Sequence, residues 1–167
     1  LLTAHRRENW GEPMKGIFAA VREMVARNED VNVIFPMHKN PLIRELATEG
    51  FRGIEDKVHL IEPLEYVDFA NLMAKCYLIM TDSGGIQEEA PALGKPVMVL
   101  RTETERPEAI EAGTVKLAGI NKDDIFNIAN ELINDKEAYE KMAHAANPYG
   151  DGKACERIVN NIIEYFK

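Results

Sequence analysis

Apolar residues along the chain alternate between two patterns. Short β-branched-rich runs at residues 1–4, 31–36, 58–61, 77–81, 97–100 and 115–117 have the length of buried strands. Between and after them, apolar positions recur every three or four residues. Met14, Ile17, Phe18, Val21, Met24 and Val25 form one such stripe, with Pro13 suited to a first helical turn. Ile125, Ile128, Ala129, Leu132 and Ile133 form a second, opened by Asn121 as a cap, and Ile158, Val159, Ile162, Ile163 and Phe166 a third. These helices are expected to cover the sheet. Strands that alternate with amphipathic helices predict βαβ units and a parallel sheet covered on both faces. Right-handed crossovers close such units into an α/β, doubly wound Rossmann-like sheet, with ligands at the carboxyl ends of the strands. The turn-rich segment Asn147-Pro148-Tyr149-Gly150-Asp151-Gly152 divides the chain into a Rossmann-like domain over residues 1–146 and a turn with a final helix over 147–167.

Composition narrows the function classes. At 167 residues, 46% hydrophobic and 29% charged, the chain suffices for one folded domain with its own core. Its formal net charge of -8 argues against nucleic-acid and anionic-membrane partners, so an anionic ligand would need a local basic cluster. No apolar run is long enough to span a bilayer, and no signal-peptide pattern opens the chain. Cys76 and Cys155 lie far apart with no Cys-x-x-Cys spacing, so neither a metal site nor a disulfide is expected, and a reducing cytoplasm is. The first residue is Leu1 rather than methionine and already belongs to a strand pattern, so the chain is expected to be cut from something longer.

Three polar loops follow strand patterns, on the edge where a ligand is expected. His5-Arg6-Arg7-Glu8-Asn9 could bind an anion through its imidazole and guanidiniums, or be a solvated turn with capping charges. Trp10 would pack over it. Thr81-Asp82-Ser83-Gly84-Gly85 leads into the helical segment Ile86-Gln87-Glu88-Glu89-Ala90. Its glycines admit close backbone approach, the helix start offers free N–H groups to an anion, and Ser83 adds a donor. Glu88 and Glu89 could accept from sugar hydroxyls, or simply stabilise a plain strand-to-helix turn. Neither a G-x-G-x-x-G nor a Walker sequence is present, which disfavours a dinucleotide or ATP. In the third loop, residues 101–108, Arg106 could pair with a phosphate or with neighbouring acids. His38 follows a further strand. A lone histidine is more often structural, and His59, within a strand pattern, and His144, within a helix, read as structural or solvated. Phe69, on a helix after Glu62-Pro63-Leu64, either borders a base or packs in the core.

Thr3-Ala4-His5-Arg6-Arg7-Glu8-Asn9, Thr81-Asp82-Ser83-Gly84-Gly85-Ile86-Gln87-Glu88-Glu89 and Thr104-Glu105-Arg106-Pro107-Glu108 together resemble the motifs of the non-hydrolysing UDP-N-acetylglucosamine 2-epimerase family. Residues 31–41, 61–69 and 147–152 look like that family's segments in the same order. The resemblance implies the second domain of a GT-B type two-domain fold, with the final helix crossing back towards a missing N-terminal domain. It implies UDP and UDP-N-acetylglucosamine as ligands, no cofactor, and a homodimer in the full-length parent. Ser83, Gly84 and Gly85 would hold the diphosphate, Glu89 the ribose, Phe69 the uracil region through its backbone, and Arg106 the nucleotide. His5 matches a catalytic histidine near the β-phosphate and the reacting sugar. Arg6 and His38 match positions that contact an allosteric second ligand in some members, and Leu64 stands where some carry glutamine. The implied reaction removes the C2 proton with anti elimination of UDP, giving 2-acetamidoglucal, and then re-adds UDP at C1 with the proton returning to C2 on the opposite face, to give UDP-N-acetylmannosamine. The acid and base carboxylates of the family lie in the first domain, so this chain alone is expected to bind UDP weakly without epimerising it. The donor-binding domain of a GT-B glycosyltransferase and a non-catalytic UDP-sugar-binding module are the alternatives.

Overall fold

Each of the six apolar runs forms a strand in a computed structural model of the protein, which describes residues 1–167. In chain order the elements are β1 (Leu2–Thr3), a 3-10 turn (Arg7–Asn9), α1 (Glu12–Arg27), β2 (Val33–Pro36), α2 (Pro41–Gly50), β3 (Val58–Ile61), α3 (Tyr66–Lys75) and β4 (Ile79–Thr81). There follow α4 (Gly84–Ala92), β5 (Val97–Val99), α5 (Pro107–Ala112), β6 (Val115–Leu117), α6 (Lys122–Asn134), α7 (Lys136–Ala143) and α8 (Ala154–Tyr165). All pairings are parallel: β2 with β3, and β1, β4, β5 and β6 side by side in that order. Because β1 also packs beside β2, the strands run 3-2-1-4-5-6, with the order reversing between β1 and β4.

Side-chain alternation along the strands builds a core on each face. Leu2, Met80 and Met98 point to one side, where Ile17, Phe18 and Val21 of α1, Ile43 of α2 and Ile125 of α6 bury against them. Ile79, Val97, Val99 and Val115 point to the other, against Met73 of α3, Ala90 of α4 and Ala109 of α5. This is the expected doubly wound arrangement.

Local chemistry explains where boundaries differ from the sequence pattern. Tyr77 leaves the fourth run before the strand begins: its ring stacks on Tyr139 with centroids 4.1 Å apart, and its hydroxyl donates to Leu132 O. Asn121 caps α6 as expected, accepting from the N–H groups of Asp123 and Asp124. Asp135 does the same for α7 through Glu137 and Ala138, which makes a separate helix where no stripe stood out. His144 is the residue that closes α7 rather than one inside a helix. Pro107 starts the short α5 within what read as a polar loop. The largest correction concerns α8. Its stripe was expected to cover the sheet, yet none of its residues is buried, and Ile158, Val159, Ile162 and Ile163 are all more than half exposed. Nothing within this chain lies against that face.

An ion-pair cluster ties α1 to α6. Glu23 faces Lys122 Nζ at 2.7 Å and Arg27 Nη2 at 2.6 Å. Hydrogen bonding from Lys122, with a smaller contribution from Arg27, holds its carboxyl below the ordinary glutamate range despite opposing desolvation. A depressed carboxyl pKa lends stability that is present above the unfolded-state value and is lost as the pH falls through the folded value. Urea midpoints should therefore favour wild type over Glu23→Gln near neutrality, and the gap should close below about pH 4, where glutamates protonate.

Candidate functional site

The carboxyl ends of β1 and β4 lie together at the reversal of strand order, the position where doubly wound sheets receive ligands. After β4 the chain turns through Asp82 and Ser83 directly into α4. Ser83 is the residue before the helix, but its side chain caps no N–H group, and its own N–H donates to Thr81 Oγ1 at 3.0 Å. The first turn of α4 thus begins with Gly84 and Gly85, has no carboxylate before Glu88, and presents unbonded amide donors at the positive end of the helix.

Two guanidiniums converge there. A Cβ placed on Gly84 would sit 3.9 Å from Arg6 Nη2 and 4.0 Å from Arg106 Nη2. Arg6 comes from the loop after β1 and Arg106 from the loop after β5, so three strand ends deliver charge or N–H donors to one point. Arg106 Nε hydrogen-bonds Glu88, which keeps that guanidinium firmly protonated, and its Nη1 donates to Glu105 O at 3.0 Å. Its backbone N–H donates to Thr104 Oγ1, which in turn bonds Gln87 Oε1 at 2.6 Å, while Gln87 Nε2 donates to Ser83 O at 3.2 Å. This chain of bonds, centred on the fully buried Gln87, locks the Arg106 loop to the start of α4.

The other candidates separate into those the fold gathers and those it does not. Glu89 lies on the exposed side of α4, with Oε1 3.8 Å from a Cβ on Gly85 and Oε2 accepting from the Tyr66 hydroxyl at 3.2 Å. Glu88, by contrast, is engaged with Arg106. The exposed His5 and His38 rings stack with centroids 5.7 Å apart, and His38 Nδ1 accepts the Asn40 N–H, so His38 is paired rather than alone. Phe69 is half-buried and packs against the core beneath α3 and α4; its neighbour on that helix, Tyr66, is what reaches the site. Trp10 does cover the first loop, donating from Nε1 to His5 O at 3.2 Å.

Three residues are more prominent here than in the sequence reading. Asp82 is fully buried at the turn into α4. Arg101, at the end of β5, bonds Glu8 Oε1 at 2.6 Å and lies 3.6 Å from Glu105, bracing the first and third loops. Asn9 bridges Asp82 Oδ2 and Leu100 O. All three were visible as polar residues beside strand ends, but polarity alone does not distinguish a buried brace from a solvated turn. A cleft of about 750 Å³ at the opposite edge, between β6 and α6–α7, contains none of these residues.

The protein-family model described as UDP-N-acetylglucosamine 2-epimerase matches residues 1–163. A UDP-N-acetylglucosamine 2-epimerase of Bacillus subtilis is 57% identical over 166 residues, covering 99% of this chain and 43% of its own length. Among solved structures, that of S. aureus MnaA with UDP superposes with a TM-score of 0.93 at 55% identity, covering 99% of this chain and 45% of that one. The Neisseria meningitidis UDP-GlcNAc 2-epimerase bound to UDP-GlcNAc gives 0.91 at 48% identity, covering 98% of this chain and 44% of that one. The chain thus spans less than half the length of the relatives it matches, and its fold is that of the C-terminal half of their GT-B type architecture. By the family match over nearly its whole length, and by identity of about half or more to these proteins, the chain belongs to the UDP-N-acetylglucosamine 2-epimerase family.

Proposed function

We propose that this chain is the UDP-binding half of a UDP-N-acetylglucosamine 2-epimerase. The observation that carries the reading is the convergence of Arg6 and Arg106 on the uncapped, glycine-opened start of α4. Backbone donors, a helix terminus and two guanidiniums make a site for a diphosphate, which is the leaving group of the proposed reaction.

Ser83, Gly84 and Gly85 hold the diphosphate and Arg106 adds charge to it. Glu89, already positioned by Tyr66, accepts from the ribose, and the backbone near Phe69 borders the uracil. His5 stands beside the β-phosphate and the reacting sugar. Arg6, which faces the diphosphate from one side, also contacts with His38 a second, regulatory nucleotide-sugar, and the stacking of His38 on His5 supports placing that ligand next to the first. Elimination of UDP from C1 as the C2 proton departs requires a base, an acid and a stabilised leaving group. This chain supplies the last by aiming fixed donors at the developing charge on the diphosphate. The proton-transferring carboxylates come from an N-terminal domain, towards which α8 turns its exposed apolar face. Elimination followed by re-addition is redox-neutral and needs no cofactor. A homodimer and a cytoplasmic location complete the proposal, the latter supported by two unpaired cysteines.

The test is a product assay on the full-length protein with UDP-N-acetylglucosamine and no acceptor sugar. Formation of UDP-N-acetylmannosamine, with none from this chain alone, is the expected result. Turnover only with an acceptor would indicate glycosyl transfer, and binding without turnover would indicate a sensor module.

A further inference from the structure

We propose that Asp82 is a positioning residue for the UDP site: its buried carboxylate clamps the His5–Arg6 backbone to the start of α4 and so fixes where the Arg6 guanidinium stands beside Gly84. The inference rests on the reading of α4 as a diphosphate site. Asp82 is wholly inaccessible and has no ion-pair partner, a costly state for a carboxylate unless strong donors surround it. Oδ2 receives them all: the His5 N–H at 2.8 Å, the Arg6 N–H at 2.8 Å and Asn9 Nδ2 at 3.1 Å. Two successive backbone amides directed at one charged oxygen form a short, charge-assisted grip. Asn9 extends it to the end of β5 through Leu100 O at 3.0 Å.

The loop after β1 has bonds of its own, from Asn9 N–H to Arg6 O and from Trp10 Nε1 to His5 O, but these only shape the turn internally. The hydrogen bonds that attach it to the β4–α4 loop all end on Asp82 Oδ2. Asp82 Oδ1 is buried without a partner, so the carboxylate has no second structural task that would account for its charge.

Asp82→Asn isolates that charge. The amide oxygen can take the place of Oδ2, while the NH2 takes the buried position of Oδ1, which has no hydrogen-bond partner. Calorimetry with UDP should show the variant binding about tenfold more weakly, as expected for softening one charge-assisted positioning contact. In amide NMR spectra the His5 and Arg6 protons should move upfield and exchange faster, while amides of β2 and β3 stay in place. A merely structural role would lower the unfolding temperature but leave the folded variant's UDP affinity and those two resonances unchanged, and that result overturns the proposal. Should Asp82→Asn not fold, exchange in wild type decides. His5 and Arg6 amides as slow as those of the strands support the clamp, and fast exchange refutes it. Failure of wild type to bind UDP would sink the nucleotide reading instead, and the two resonances would still judge Asp82.

Discussion

Gly84→Ala is expected to fold as well as wild type and to bind UDP at least about a hundredfold more weakly, the equivalent of two charge-assisted contacts. The added methyl meets only ordinary van der Waals neighbours, the two guanidiniums at 3.9 and 4.0 Å, and alanine is at ease in a helical turn. Stability should therefore change by less than about 1 kcal/mol. The same methyl occupies the space on which Arg6, Arg106 and the helix N–H groups converge, so an anion can no longer close on all of them. Thermal unfolding and UDP calorimetry on the same preparation separate the two effects. A variant that binds UDP normally would place the diphosphate elsewhere.

Phe18→Ala is expected to cost about 3–5 kcal/mol of stability, the usual loss for emptying a buried aromatic site. Phe18 is 1% exposed and packs on Phe51 and Phe35 with ring centroids 4.7 and 5.8 Å away, joining α1 to β2 and to the end of α2. The backbone at Gly50 is close enough that even a methyl there would press on the Phe18 ring at 3.0 Å, so the surroundings are already fixed and cannot readily collapse into the void. A fall in Tm of roughly 6–20 °C is the expected readout for a domain of this size. A loss below 1 kcal/mol would mean the first core is far looser than these contacts imply.

The contrast between these residues shows what sequence can carry. Phe18 was legible because its stripe repeats with helical period, and periodicity reports burial directly. The strand Val58–Ile61 was legible to the residue because its apolar run ends sharply at Lys57 and Glu62. Ser83 and Gly84 were legible as a candidate site because small residues between a strand and a helix leave the free N–H groups of the helix start open at a sheet's carboxyl edge. What stayed hidden depended on partners distant in sequence. Nothing local says that Asp82 would grip His5 and Arg6 from 77 and 76 residues away, or that His38 would stack on His5. The stripe of α8 likewise predicts an apolar face without naming what covers it, and only the family resemblance pointed away from the sheet.

The pairing of Arg106 with Glu88 and of Glu89 with Tyr66 gives the unliganded site a defined electrostatic state. Bound diphosphate would compete with Glu88 for the Arg106 guanidinium, and ribose hydroxyls would take the place of the Tyr66 hydroxyl on Glu89. Some of the binding energy would therefore go to exchanging internal partners, which is the structural ground for expecting weak binding by this half alone.

Calorimetric titration of the chain with UDP, beside the Ser83→Ala/Arg106→Ala double variant, tests the central claim most directly. The account predicts measurable binding by wild type that the double variant loses while remaining folded. Equal binding by both proteins, or none by folded wild type, would contradict the assignment of the diphosphate site to the start of α4.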